Sequence, residues 1–196
     1  MIYLLRHGQT EFNAEHRIQG QCDSALTPLG REQARGLGLL LRGALAGEGE
    51  FEMVCSPLGR TVATAEIVRD HAGIGAPLVT DPLLMEIGCG SWEGRLSSFC
   101  RAEAGAGVDM SFIDVWRRHC PDGERYEDAM ARARRWLSWA EGRRVVAVAH
   151  GIIGIFLRGA YLGLSEEEMT GMPTPQDRIF RLHAGRVEEL VLADAG

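Results

Sequence analysis

The sequence predicts an α/β fold: a three-layer sandwich with a mostly parallel central sheet, helices on both faces and a small inserted cap. Short apolar runs alternate in order with stripes of helical period, the pattern of strand-helix units. Two of the runs are apolar almost throughout, as strands covered on both faces are. Gly94 to Gly123 breaks the alternation with mixed short patterns and no clear strand, which marks it as the insertion, 94–123, in one domain spanning 1–196.

The strands are expected at Ile2 to Leu5, Met53 to Cys55, Leu78 to Val79 and Val145 to Ala149, β-branched or bulky runs bounded by breakers. The first helix follows Thr27 as N-cap and Pro28 at its first position, with Ala34, Leu37, Leu41 and Leu45 on one stripe. The second repeats that opening with Ser56 and Pro57 and is expected to bury Leu58, Val62 and Ala65. A third stripe, Tyr126, Met130, Ala133, Leu137 and Ala140, follows Asp122 as cap. "GIIGIFLRGAYLG" forms a fourth helix directly after the strand "RVVAVAH". "RIFRLHAGRVEELVLA" turns about Ala184 and Gly185 as a hairpin at one edge of the sheet.

Composition narrows the function classes. A net charge of −6 without a long run of either sign argues against a nucleic-acid or membrane-surface binder. No apolar stretch approaches the ~18 residues needed to span a bilayer, and "MIYLL" is too short a start for a secretory signal, so the reading places the chain in the cytoplasm. Cys22, Cys55, Cys89, Cys100 and Cys120 are odd in number and widely spaced; they read as reduced thiols, mostly packing residues. Oligomeric state leaves no mark in the pattern.

Ligands of open α/β sheets bind outside the carboxyl ends of the strands. There the first strand delivers Arg6 and His7, the second Ser56 and then Arg60, and "RVVAVAH" delivers His150 and Gly151; Glu86 follows the Leu78 strand. Two arginines, two histidines and a carboxylate converging on one rim repel and desolvate one another unless an anion fills the cluster. A phosphoryl group fits, because guanidinium forks match its oxygens and helix N-termini add N–H donors. Arg60 sits in the first turn of its helix, where a cation opposes the helix dipole. Zinc held by His7, His150 and Glu86 is the competing reading, and the adjacent arginines, which repel a divalent cation, count against it. Gln9 and Gln19 are polar loop residues near the same rim, with structural and functional roles equally open.

Six segments in order, "LLRHGQTEFN", "LTPLGREQA", "SPLGRTVATAEIV", "EIGCGSWEG", "PDGERYEDAMARA" and "VVAVAHG", resemble the histidine phosphatase superfamily, also called the phosphoglycerate mutase-like family, over most of the chain. The resemblance implies that His7 takes the phosphoryl group as phosphohistidine and that Arg6, Arg60 and His150 form the phosphate pocket. It further implies secondary contacts from Asn13, the backbone near Gly20 and Gly151, and Glu86 as proton donor. An imidazole attacks only when unprotonated, which Arg6 and Arg60 favour for His7, and Glu86 must start protonated to serve the leaving oxygen. No metal or other cofactor is implied; the partner is a small phosphorylated substrate.

Within the family, "IGCGSWEGRLSSFC" looks like the phosphatase branch, since mutases carry a longer segment after the glutamate. The paired Arg117 and Arg118 favour the alternative of a phosphoglycerate mutase-type isomerase, and Trp116 to His119 could equally form a solvated cap face. A phosphate-binding module without catalysis is a third reading, and retention of His7 with Glu86 counts against it. Arginine in "PDGER" and the segment "MPTPQDRIF" depart from the family pattern at positions that bear on substrate contacts.

Overall fold

The strands assemble into one six-stranded sheet. The computed structural model describes residues 1–105 and 110–191. Its strands are β1 Ile2–Arg6, β2 Glu52–Cys55, β3 Leu78–Thr80, β4 Val145–Ala149, β5 Arg178–His183 and β6 Arg186–Val191. The helices are α1 Glu11–Ala14, α2 Pro28–Leu45, α3 Gly59–Ala72, α4 Ser97–Glu103, α5 Phe112–His119, α6 Tyr126–Ala140, α7 Gly151–Leu162 and α8 Glu166–Thr170.

Strands β3, β2, β4 and β1 run parallel, and the β5-β6 hairpin extends the sheet antiparallel beyond β1. Alternation along each central strand splits the core. Tyr3 and Leu5 of β1, with Val146 and Val148 of β4, pack on Ala34, Leu37 and Leu41 of α2 and on Ala65 and Val68 of α3. Ile2, Leu4, Val145, Ala147 and Ala149 face Ala133 and Trp136 of α6 and Ile153 and Phe156 of α7. Trp116, Ile113 and Val115 of α5 join this second cluster, so the insertion shares the core instead of standing apart from it. Residues 106–109 of the insertion, and Leu192 and Ala193 at the end of the hairpin segment, lie outside the described residues.

Helix α2 begins as expected: the Thr27 hydroxyl accepts from Gly30 N, and Pro28 follows it. Two other caps do not. Helix α3 starts at Gly59, two residues past Pro57, and the Ser56 side chain turns inward. Its buried face is Arg60, Thr61, Thr64, Ala65, Val68 and Ala72, while Leu58 and Val62 are only partly buried. The polar half of that face is turned toward the strand tips, where hydrogen bonds replace apolar contact. Helix α6 starts after Arg125 without a side-chain cap, and Asp122 instead accepts from the N–H and hydroxyl of Ser91.

The cysteines are free; Cys55, Cys89 and Cys100 are buried and Cys22 is exposed. Burial pushes the Cys55 thiol up to about 12 and Cys120 up to about 11, so both stay protonated at neutral pH. Among the described residues no helix is long and apolar enough to cross a membrane.

Candidate active site

The tips of β1, β2 and β4 meet side by side because the three strands are parallel neighbours. The pairing continues one residue past the strands: His7 N donates to Ala149 O at 3.1 Å and Ser56 N to Val148 O at 3.0 Å. Beyond His7 the chain must pass tightly under α2. A Cβ on Gly8 would lie 2.2 Å from Gly30 O, and one on Gly30 would lie 2.0 Å from Gln9 O, so both positions require glycine.

Five polar residues are enclosed there: Ser56 is fully buried, His7, Arg60 and His150 are each 2% exposed and Glu86 is 9% exposed. His7 Nδ1 lies 2.8 Å from the carbonyl oxygen of Gly8. A carbonyl only accepts, so Nδ1 carries the proton and Nε2 the lone pair. Burial, reinforced by the Arg6 and Arg60 charges, holds the imidazole well below its ordinary value of 6.5, and it is neutral at pH 7. Burial is the leading cause; the arginines come second.

His150 packs edge-on to His7, with ring centroids 5.2 Å apart. Arg60 Nε donates to its Nδ1 at 3.2 Å, so Nε2 bears the proton and donates to Ser56 Oγ at 2.8 Å. Burial again, then Arg60 and His7, keeps this ring neutral. Arg60 also donates from Nη1 to Cys22 O at 2.6 Å and Asp23 Oδ1 at 3.2 Å, and from Nη2 to Gly20 O at 2.7 Å. These bonds and the one to His150 use four of its five N–H groups and leave one. The unfavourable placement of a cation at the start of α3 is answered from outside the helix. The Asp23 carboxylate accepts from Gly59 N and from Arg60 N, capping α3 across 36 residues.

Arg6 donates from Nη1 to the carbonyl of Thr174 and, at 3.3 Å, to its hydroxyl. Its Nε is buried and unpartnered among the described residues, an open donor beside Gly151. Gln176 Nε2 bridges His7 O and Asn13 Oδ1, both at 3.1 Å, and Asn13 closes a capping box with Thr10. Gly20 takes φ +52°, and a Cβ there would meet Glu93 Oε1 at 2.3 Å. Glu93 accepts from Gln21 N, Cys22 N and Cys89 N, and so ties the 20–22 loop to the segment that follows Glu86.

Glu86 lies outside the strands, on a connection after a 3₁₀ turn at Pro82–Leu84. Its carboxylate accepts from Ile152 N at 3.0 Å and from Ile153 N at 2.9 Å at the N-terminus of α7, and from Ile87 N at 3.1 Å.

A cavity of about 320 Å³ opens on these groups, its lining including Arg6, His7, Asn13, Gly20, Arg60, Glu86 and Gly151. Ile18, Ile87 and Phe112 also line it, together with the polar His16, Arg17, Gln19 and Ser97. Six of the eight residues singled out from the sequence have side chains that take part in this arrangement, and Gly20 and Gly151 contribute backbone. His150 differs in one respect: it does not line the cavity but stands behind Arg60. Gln19 lines the cavity, whereas Gln9 turns away, accepting from Thr27 Oγ1 at 2.9 Å. Arg117 pairs with Glu166 and lies over the Tyr126 ring, and Arg118 approaches Asp114 at 3.8 Å; neither lines the cavity. The zinc reading finds no support in this geometry, since both His150 nitrogens are engaged with protein groups and His150 does not line the cavity, which leaves His7 Nε2 as the only free histidine nitrogen of the pair. Sequence reasoning missed Ser56 as a partner of His150, and also Asp23, Thr174 and Gln176.

Residues 2–191 match the family model described as "Histidine phosphatase superfamily (branch 1)". A relative named "Probable phosphoglycerate mutase GpmB", from Enterobacter sp. (strain 638), is 34% identical over 195 residues, covering 92% of this chain and 80% of that protein. Bacillus stearothermophilus YhfR superposes with a TM-score of 0.77 at 30% identity, over 100% of this chain and 97% of its own. A mycobacterial glucosyl-3-phosphoglycerate phosphatase, solved with VO3, superposes with a TM-score of 0.77 at 29% identity, over 97% and 96% of the two chains.

Proposed function

Because the chain belongs to the histidine phosphatase superfamily (branch 1), we propose that it hydrolyses small phosphomonoesters through a phosphohistidine formed on His7. The observation that carries this reading is the tautomer of His7. A buried, neutral imidazole whose Nδ1–H is tied to Gly8 O has one nucleophilic atom, Nε2, beside two guanidinium groups.

Substrate phosphate would seat on the spare N–H of Arg60 and the open Nε of Arg6, with Asn13 and the backbone at Gly20 and Gly151 lining the same end. Nε2 attacks phosphorus, the P–O bond to the leaving group breaks, and Glu86 passes a proton to the departing oxygen. Water then attacks the phosphohistidine, Glu86 takes back a proton, and the N–P bond breaks to give inorganic phosphate and neutral His7. The arginines stabilise charge on the equatorial oxygens throughout, and His150 holds the Arg60 fork in its plane.

Hydrolysis is favoured over isomerisation because, among the described residues, the cavity offers no unengaged arginine for a second anionic group. A mutase must grip the carboxylate of phosphoglycerate. Here the lining beyond the phosphate-binding groups mixes Ile18, Ile87 and Phe112 with His16, Gln19 and Ser97, and its one further arginine, Arg17, is already held by Glu15 and by Gly94 O. Arg117 and Arg118, the pair on which the isomerase reading leaned, face elsewhere. Phosphate release from a panel of phosphomonoesters with a chelator present, comparing native protein with His7→Ala, tests the proposal. Activity that survives the chelator and disappears in His7→Ala supports it; interconversion of phosphoglycerates without net release favours the mutase.

A further inference from the structure

Glu86 sits on an irregular connection, yet its carboxylate must be aimed to within a hydrogen bond of the leaving oxygen. What fixes that connection is a side chain outside the cavity. Arg132 of α6 donates from Nη1 to Leu83 O at 2.9 Å and Met85 O at 2.5 Å, and from Nη2 to Glu86 O at 3.4 Å. Its two remaining N–H groups make a fork on Glu124, Nε to Oε1 at 2.9 Å and Nη2 to Oε2 at 2.8 Å. All five guanidinium donors are thereby used. Glu124 Oε2 in turn accepts from Gly88 N at 3.1 Å, two residues beyond Glu86. The Glu124-Arg132 pair thus grips the backbone on both sides of Glu86, and both side chains are largely buried.

We propose that Arg132 and Glu124 are positioning residues for the acid-base step, a frame that holds Glu86 against the start of α7; this rests on the phosphatase reading above. A planar fork is required. Lysine keeps the charge but has three donors on one atom and cannot span three carbonyls and a carboxylate.

The test compares Arg132→Gln, Arg132→Lys and Glu124→Gln by two readouts. The first is kcat/KM on an alkyl phosphate, which needs a proton on its leaving oxygen, against a nitrophenyl phosphate, which needs it little. The frame predicts a loss of about ten- to a hundredfold on the alkyl ester, with the nitrophenyl ester far less affected, no rescue by lysine, and no further loss when Arg132→Gln is added to Glu86→Gln. The second is amide hydrogen exchange at Ile152 and Ile153, whose N–H groups Glu86 accepts. Protection there falls toward that of Glu86→Ala while the amides of β1 and β4 stay protected. Equal losses on both esters, additivity with Glu86→Gln, or unchanged protection overturns the frame. A native protein with no esterase activity would defeat the phosphatase reading, and amide exchange would then decide the frame alone. Glu124→Gln serves if the Arg132 variants do not fold.

Discussion

Lowering the pH from 7 to 5.5 should destabilise this protein through His7 and His150 alone by an amount large enough to measure. In the unfolded chain each imidazole titrates near 6.5, whereas burial and the neighbouring guanidinium groups keep both rings from protonating in the fold until far lower pH. The unfolded state therefore takes up more protons as the pH falls through 6.5, and stability is lost over that window and downward. Between pH 7 and 5.5 each ring contributes a loss of about 1.3 kcal/mol, about 2.5 kcal/mol for the pair. The assay is urea unfolding followed by circular dichroism at the two pH values, in phosphate-free buffer so that no bound anion stabilises the fold. The His7→Gln/His150→Gln double variant, less stable at pH 7, should lose correspondingly less on acidification. A double variant whose stability falls by the same amount as that of the native protein would refute the assignment of buried, neutral rings.

Asp23→Ala removes the carboxylate that caps α3 and pairs with Arg60, and unfolding should show a loss of about 1 kcal/mol, with a raised KM. Gly8→Ala forces a Cβ against the backbone of Gly30 and should cost several times more, whereas Gly43→Ala, with open space around its Cβ site in α2, should raise stability by about 0.5–1 kcal/mol; thermal melts of the pair would show opposite signs. Vanadate or phosphate at a hundredfold excess over its Kd should stabilise the native protein by about 2.7 kcal/mol, and Arg60→Ala should lose most of that gain.

Elements whose signals are local were legible in the sequence. Thr27-Pro28 marks α2 because cap and first-turn proline lie in adjacent positions, and the apolar run of β4 needs no partner to be recognised. The same local logic misled at Ser56-Pro57, where an identical dipeptide pattern precedes a helix that begins two residues later. Ser56 is drawn off by His150, 94 residues away, and no spacing rule reports that. The charged residues at the strand tips were visible because topology alone brings them together. Their supports were not: Asp23 on α3, Gln176 on His7, Thr174 on Arg6 and Glu124-Arg132 around Glu86 are contacts between distant segments, chosen by tertiary geometry. The leading cause of the lowered His7 value was also hidden, since a sequence displays neighbouring charge more readily than depth of burial.

The most direct test of the central claim is a rapid-quench experiment on native protein mixed with a phosphomonoester and a chelator, followed by intact-mass and peptide analysis. A single phosphoryl group carried on His7, formed before phosphate is released and absent in His7→Ala, is the predicted result. Phosphate release with no phosphorylated protein at any time, or release that persists in His7→Ala, would contradict it.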